Sequence, residues 1–458
     1  MRAVLHASSR RGLIEHIQGQ RITLSIFRAS FSVLCSKSSS IKLNHNLTSE
    51  ISSPREESSI SKAAEALLDV ADEKALVDLF GRKHNYLRVS LTEKCNFRCV
   101  YCMPAEGVQL TPSEQLPTLT ERKRLLDIFA RLGVNKLRFT GGEPTLSKQL
   151  LPLLQHAQTV QGPNADLNAS AFRSIGITTN GFNFKQQLPD LVAAGLTSAN
   201  ISLDSLVEHK FAALTRRDGK AVHRVLSAIY ASLDAGLHTK INCVLMAGTN
   251  DDEIADFVKL TRDMQIDVRF IEYMPFDDNG WHSQRLVGYR DALQRLEVEH
   301  GIILQPDAKT QQIRVSAQGE DSGGLSAQAS DGSANGIRPD KRGRSNYNSR
   351  PDVHDTTKWY RAEGHVGRVG FISTMTDHFC STCNRLRLTA DGKLKVCLFG
   401  DEALSLVSCL RKGLSDGQII AEMAAAVRRK AARLGGEQNA VDLAATERKN
   451  RSMIKIGG

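Results

Sequence analysis

From residue 87 onward, short β-rich runs alternate with helix-length segments, and few architectures accommodate that rhythm. The runs are Leu87–Leu91, Lys136–Thr140, Ile175–Thr179, Asn200–Leu203, Lys240–Leu245 and Val268–Met274, with helical stretches such as Thr120–Leu132 and Val222–Ala235 between them. No hairpin-length loop separates one run from the next. Neighbouring strands must therefore run parallel, joined by crossovers. Six strands over ~190 residues predict a partial or full β/α barrel, or an open doubly wound sheet. In each of these, ligand chemistry belongs at the carboxyl ends of the strands.

The first of those ends carries cysteines. The chain has nine, at 35, 95, 99, 102, 243, 380, 383, 397 and 409, and an odd count argues against a disulfide framework. Cys95-x3-Cys99-x2-Cys102 directly follows the first predicted strand. Three thiolates on one loop bind a metal or an iron–sulfur cluster, and the fourth nearby Cys or His that structural zinc wants is missing. A cubane of four irons held by three cysteines leaves one iron open to a small chelating molecule. The second group, Cys380-x2-Cys383-x13-Cys397, admits two readings: another such cluster, or zinc with His378 as fourth ligand. Cys243 and Cys409 read as small buried hydrophobes.

Charge narrows the class of partner. The formal net charge is +10, but residues 1–49 carry seven Lys/Arg against one acid and residues 411–458 carry ten against five, leaving 43 against 44 between them. A near-neutral body argues against a nucleic-acid footprint. No apolar run of ~18 residues marks a membrane-spanning helix. Residues 1–49 are also Ser-rich, with Arg2, Arg10, Arg11, Arg21 and Arg28 set among apolar residues. That is the composition of an organellar transit peptide, here read as mitochondrial, with the matrix as destination; a basic tail is the alternative. Residues 50–77 read as linker and lead-in helix, 78–305 as the β/α core, 306–356 as a disordered Ser/Gly-rich insertion, and 357–458 as a C-terminal unit. The basic stretch Arg428–Arg433 reads as a solvated helix face.

Three cations, Arg88, Arg138 and Lys240, fall inside predicted parallel strands. A strand buried on both faces tolerates a cation only with a partner, either an internal carboxylate or a bound anion. Arg385 and Arg387 share one face if their segment is extended, and planar guanidinium forks suit phosphate oxygens. Gly141-Gly142-Glu143-Pro144 follows the second strand. Its glycines allow close backbone approach, and Glu143 can accept from an ammonium; a tight turn is the alternative.

With these residues in place, the chain resembles the radical S-adenosylmethionine enzymes, and within them the GTP 3′,8-cyclase family of molybdenum-cofactor biosynthesis. The carriers are FGRKHNYLRVSLTEKCNFRCVYCMP (80–104), LRFTGGEPTL (137–146), ITTNG (177–181), NISLDSL (200–206), RFIEYMPF (269–276), FCSTCNRLRLTADGKLKVCLF (379–399) and the terminal IKIGG (454–458). The resemblance implies an α/β fold: a partial (β/α)6 TIM-type barrel, with a C-terminal α+β unit carrying a second iron–sulfur cluster. It implies two [4Fe–4S] clusters, the first on Cys95, Cys99 and Cys102, the second on Cys380, Cys383 and Cys397. S-adenosylmethionine would bind at Tyr101, Gly142, Glu143, Ser202 and Met274. GTP would bind at Arg88, Arg138, Thr178, Lys240, Arg385 and Arg387, with Arg385, Arg387, Gly457 and Gly458 serving catalysis. The implied chemistry is reductive cleavage of S-adenosylmethionine to a 5′-deoxyadenosyl radical and hydrogen abstraction from the ribose C3′ of GTP. Attack on guanine C8 and reduction then give the cyclised (8S)-3′,8-cyclo-7,8-dihydroguanosine triphosphate. The resemblance also implies an electron donor, a homodimer, and handover of product to the next enzyme of molybdopterin synthesis. Two other readings compete: a radical peptide maturase, and a zinc-stabilised nucleic-acid module, against which the β/α rhythm speaks.

Overall fold

The computed structural model describes residues 74–162, 170–277, 279–307, 355–445 and 451–457, all within one unit, 68–458. The expected leader, most of the linker, the insertion over 308–354 and Gly458 lie outside the described residues.

Six parallel strands follow in chain order: β1 (Tyr86–Ser90), β2 (Lys136–Thr140), β3 (Ser174–Thr179), β4 (Ser198–Ser202), β5 (His238–Leu245) and β6 (Asp267–Glu272). Each pairs with its predecessor, the sequential winding of a partial (β/α)6 barrel. Between and after them lie α1 (Leu119–Arg131), α2 (Leu150–Thr159), α3 (Phe184–Ala193), α4 (Glu208–Thr215), α5 (Ala221–Asp234), α6 (Ile254–Lys259) and α7 (Tyr289–His300). Helix α1 starts where a capping box sets it, Thr118 accepting from the Glu121 amide and Glu121 from the Thr118 amide.

The C-terminal residues extend the same sheet at both edges. After β7 (Leu304–Pro306) and β8 (Lys358–Ala362), β9 (Arg368–Ile372) pairs parallel with β6. Next, β10 (Arg385–Leu388) pairs parallel with β1. Beyond them, β7 and β8 on one side and β11 (Lys393–Lys395) and β12 (Leu404–Ser405) on the other add antiparallel, giving twelve strands. The Arg385 guanidinium on β10 donates to Thr356 Oγ1, just ahead of β8, at 2.9 Å. The sheet therefore curls until its flanks meet. The helices α8 (Leu406–Arg411), α9 (Asp416–Arg428), α10 (Ala440–Ala445) and α11 (Met453–Ile456) complete the chain.

The two faces of the sheet differ sharply. Leu87, Leu137, Phe139, Ile175, Ile177, Ala199, Ile201, Ile241 and Val268 are buried against the helices in the main core. The alternate positions are Arg88, Ser90, Arg138, Thr140, Thr178, Asn200, Lys240 and Arg269, and the first six of them sit on four adjacent strands, β1 to β4. Along β5 and β10 the inner residues are only half-buried while the outer ones are fully buried. The inside is a polar hollow and not a packed core, which is why strands of a parallel sheet here carry charges.

Candidate functional site

Cys95, Cys99 and Cys102 sit on the loop leaving β1, and packing from below fixes that loop. Arg122 of α1, almost fully buried, donates to the carbonyls of Ser90, Leu91 and Ala390, joining the ends of β1 and β10. The amides of Arg98 and Val100 bond the carbonyls of Thr215 and Leu214 at the end of α4. Phe97 packs edge-on against Phe182 and Phe211. All three thiols are free and half-buried. Burial raises them, Cys95 to about 11 and Cys102 to about 12, and neighbouring groups raise them further: Glu143 for Cys95, Asp204, Cys102 and Cys95 for Cys99, and Cys95 and Asp204 for Cys102. Thiols this close and this short of cations favour the thiolate only when a metal centre draws the protons off.

The two glycines after β2 serve this loop. A Cβ on Gly141 would lie 2.7 Å from the Thr92 carbonyl oxygen, and one on Gly142 would run into the Lys94 carbonyl. The expected close approach is thus made to the backbone of the cysteine loop, where Gly142 and Glu143 donate their amides to Thr92 and Lys94. Glu143 is fully buried. Its Oε1 accepts from Thr145 and Thr179, and among the described residues its Oε2 accepts only from the Asn180 amide, at 2.7 Å. Tyr101 donates to Asp204, a buried carboxylate that burial lifts to about 6. Ser202 closes β4, and Met274 follows β6 beside Phe276 and Met375.

The second triad brackets β10. Cys380 and Cys383 precede this strand and Cys397 follows β11, its antiparallel partner. Because β10 runs parallel to β1, this triad lies at the amino end of the pair and the first triad at the carboxyl end. Its surroundings are cationic. Burial opposes the Cys383 thiolate, yet Lys430, Arg385 and Arg387 outweigh it and bring the thiol down to about 7. Lys430 lies 3.7 Å from that sulfur and 2.8 Å from His84 Nε2. Lys430 is thus an exception to the expected solvated face: Arg428, Arg429 and Arg433 are exposed, but Lys430 is turned inward. Arg82 ties the lead-in segment to the carbonyls of Cys380, Ala431 and Ala432, and the Leu434 amide donates to the Cys380 sulfur. Among the described residues, no three or more His, Cys, Asp or Glu are arranged to hold a single metal ion, His378 included.

Between the triads runs a belt of cations. The register places Arg387, Arg88 and Arg138 side by side on β10, β1 and β2. Arg88 hydrogen-bonds Tyr86. Burial alone would raise the Tyr86 phenol, but Arg138, Arg88, Lys136 and Arg385 draw it well below its usual value, a measure of how positive the hollow is. Arg138 already has partners in Tyr86 Oη (2.8 Å), the Ile177 carbonyl (2.7 Å) and Ser198 Oγ (3.2 Å). Lys240 lies 3.3 Å from Asp267 and over the Trp359 ring, and burial lowers it to about 8. Of the two readings of a strand cation, Lys240 takes the internal carboxylate, whereas Arg138 is held by neutral acceptors and, among the described residues, forms no ion pair. Arg269, which the sequence reading passed over, shares the hollow and donates to Asn242. Buried polar atoms without a partner among the described residues line the same face: Ser90 Oγ, Thr140 Oγ1, Thr178 Oγ1, Asn200 Oδ1 and Arg387 Nε. Preorganised polar atoms left open in a positive hollow suit a polyanionic, hydroxyl-bearing ligand.

The C-terminal tail reaches this hollow. Gly457 is buried with φ +82°, and a Cβ there would lie 2.7 Å from Ser90 Cβ and from Thr140 Oγ1. Ile456 and Met453 pack with Phe276, Met375, Phe399 and Leu434. Arg451 holds the approach, donating to Asp391 at 3.2 Å and to Glu402 at 3.0 Å.

Two family models match the chain: the Radical SAM superfamily over residues 89–261, and Molybdenum Cofactor Synthesis C over 339–435. The chain is similar to a protein named GTP 3′,8-cyclase, mitochondrial, from Arabidopsis thaliana, with 42% identity over 84% of this chain and 83% of that one. A GTP 3′,8-cyclase from Desulforamulus reducens is 34% identical over 84% of this chain and 100% of its own. The human molybdenum cofactor biosynthesis protein 1 is 39% identical over 83% of this chain, which spans 51% of that protein's length.

Proposed function

The chain belongs to the GTP 3′,8-cyclase family of radical S-adenosylmethionine enzymes, and we propose how its own residues divide that reaction. The observation that carries the reading is the belt of cations and open polar atoms lying between two thiol triads. A substrate held there meets one triad at each end.

Cys95, Cys99 and Cys102 would hold the first cluster, which when bound would take S-adenosylmethionine and supply the single electron for its reductive cleavage. The free lone pairs of Glu143 Oε2 accept from the methionyl ammonium, beside the Gly142 backbone. Tyr101, Ser202 and Met274 border the same end of the hollow. Arg88, Arg385 and Arg387 take the triphosphate. Arg138 and Lys240, already held by internal partners, contribute field and shape along with contact. Thr178, with an open hydroxyl, takes a polar edge of the nucleoside. The second triad, at the amino end, orients the base relative to the ribose. Gly457 closes the carboxyl end, where hydrogen abstraction occurs, and excludes water from it; Gly458 is assigned the same catalytic role. Residues 1–49 direct the chain to mitochondria, and the product passes to the next step of molybdenum cofactor synthesis.

Anaerobic reconstitution tests the assignment. The protein should take up about eight irons, as expected of two four-iron clusters, and convert GTP when given S-adenosylmethionine and dithionite. Cys95→Ser should lose 5′-deoxyadenosine formation while keeping the second cluster. Cys383→Ala should keep S-adenosylmethionine binding but lose GTP affinity and cyclisation. Stoichiometric zinc on the second triad in fully active protein would overturn the two-cluster reading.

A further inference from the structure

The chain leaving α9 wraps the second triad, and the division of the reaction above gives it no task. Lys430 is buried, although Arg428 and Arg429 just before it are exposed. Its ammonium meets three acceptors: His84 Nε2 at 2.8 Å, the Arg385 carbonyl at 3.4 Å and the Cys383 sulfur at 3.7 Å. The His84 ring is itself oriented. Its Nδ1 lies 3.0 Å from the Leu76 carbonyl, which can only accept, so Nδ1 carries the proton and Nε2 offers its lone pair to the ammonium. Asp78, the carboxylate of this neighbourhood, is taken by Arg82 at 2.5 Å, and among the described residues Lys430 forms no ion pair. Four residues further on, the Leu434 amide donates to the Cys380 sulfur at 3.4 Å. Leu434 has φ +43°, a left-handed conformation that a leucine seldom adopts. Arg82 pins the turn between them, donating to the carbonyls of Ala431 and Ala432 and to that of Cys380 at 2.8–2.9 Å.

We propose that Lys430 is a positioning residue for the second cluster: its ammonium, aimed by His84, donates to the Cys383 sulfur and raises that cluster's reduction potential. The inference rests on the two-cluster reading above. The potential of a thiolate-held cluster follows its net charge, its surroundings and the hydrogen bonds to its sulfurs. A reduced cluster carries one more negative charge than an oxidised one, so a cation beside the sulfur favours the reduced form, and burial keeps water from screening it. The first triad has the opposite surroundings. There the Cys95 sulfur accepts from the neutral Phe97 amide, Glu143 and Asp204 are the neighbouring carboxylates, and among the described residues no cation donates to a sulfur. Arg385 and Arg387 also lie near Cys383, but the triphosphate claims them. Lys430 has no other charge to serve, and it is the cation in direct contact with a sulfur.

A redox titration followed by electron paramagnetic resonance tests this. The parent is the full chain carrying Cys95→Ala/Cys99→Ala/Cys102→Ala, reconstituted anaerobically with iron and sulfide so that only the second cluster forms. Adding Lys430→Met should leave the iron content at about four. It should shift the one-electron equilibrium toward the oxidised cluster roughly tenfold or more, a fall of about 59 mV in the midpoint. Lys430→Gln keeps a donor without the charge and should move the midpoint the same way by less. Arg429→Gln removes the exposed cation next door, which water screens, and should leave the midpoint in place. An unmoved midpoint in both Lys430 variants refutes the proposal. An equal fall in Arg429→Gln would make the effect one of overall charge and refutes it too. Loss of the cluster from both Lys430 variants would make Lys430 an assembly residue and likewise overturns it. If the parent takes up zinc or no four-iron cluster, the two-cluster reading itself fails, and the proposal with it.

Discussion

Gly176→Ala adds a single methyl group to the middle of β3, and the structure says where that methyl goes. Gly176 pairs with Arg138 on one side and Ser198 on the other. A Cβ would lie 2.7 Å from the Arg138 Cζ and Nη2 and 2.5 Å from Ser198 Oγ. Its φ lies outside the left-handed region, so the backbone accepts alanine and only the space does not. The guanidinium cannot swing away freely, because three acceptors hold it. Yielding to the methyl costs the bonds to Ser198 and the Ile177 carbonyl. At ~1.5–3 kcal/mol for each bond to a charged group, that is roughly 3–6 kcal/mol. Replacing a strand glycine returns ~0.5–1 kcal/mol, so the net loss is about 2–5 kcal/mol. Urea unfolding of the apo protein measures it, and GTP affinity should fall with it as the belt is disturbed. In an Arg138→Ala background most of the penalty should vanish, a coupling of ~2 kcal/mol or more in the double-mutant cycle. If Gly176→Ala cost the same with and without Arg138, the glycine would not be making room for the guanidinium and the argument would fail.

Arg385→Ala or Arg387→Ala removes a charge-assisted phosphate contact and should weaken GTP binding by ~1.5–3 kcal/mol, roughly ten- to a hundredfold, with only partial rescue by Lys; normal binding would move the phosphate pocket elsewhere. Arg451→Ala releases the tail from Asp391 and Glu402 at a cost of about 1–2 kcal/mol for a partly exposed pair. Carboxypeptidase should then remove the terminal residues faster, and hydrogen abstraction per bound GTP should fall while GTP affinity holds; loss of affinity instead would make the tail a binding element. Burial and Lys430 hold His84 at about 4, against ~6.5 unfolded. The unfolded state therefore binds the extra proton between those values, so His84's contribution is complete above pH ~6.5 and drains away toward pH 4 at up to ~1.4 kcal/mol per unit. His84→Gln should flatten the acid limb of the urea midpoint against pH, and an unchanged slope would contradict the assignment. Removing residues 1–49 should leave activity in vitro intact and strand the protein in the cytosol, as a fluorescent fusion would report.

Local patterns were legible. The six core strands fall within two residues of the predicted runs, because period-two apolar residues and short connecting segments leave their mark in any window. The spacing of Cys95, Cys99 and Cys102 is a local property of one loop, whereas Cys397 returns to the end of β10 where Cys380 and Cys383 lie only through the antiparallel pairing of β10 with β11. What escaped detection joins residues far apart in the chain. Arg122 reaches Ala390, Lys430 reaches His84, and Gly176 yields to Arg138, pairings of 268, 346 and 38 positions with no signal in any window. The sheet flanks escaped for a related reason: Arg385–Leu388 is only four residues long, and nothing in RLRL says which strand it joins.

That one pairing decides how the site works. Read in sequence, the two triads are simply one early and one late in the chain, and either end of the barrel could hold both. Once β10 lies parallel to β1, with Arg387 opposite Arg88, the triad before β10 must sit at the amino end and the triad after β1 at the carboxyl end. With ~3.3 Å per strand residue, four to five residues separate them by roughly 13–17 Å, and the cation belt fills that gap. A ligand gripped at its base by one end and attacked at its ribose from the other has to be about that long and anionic along its flank. The tail enters at the carboxyl end, against Ser90 and Thr140, so on the proposed division of the reaction it would seal the place where a radical needs protection from water. Sealing the opposite end would protect only the base. On the proposed reading, the pairing of β10 with β1 thus orders binding, attack and exclusion of solvent along one axis.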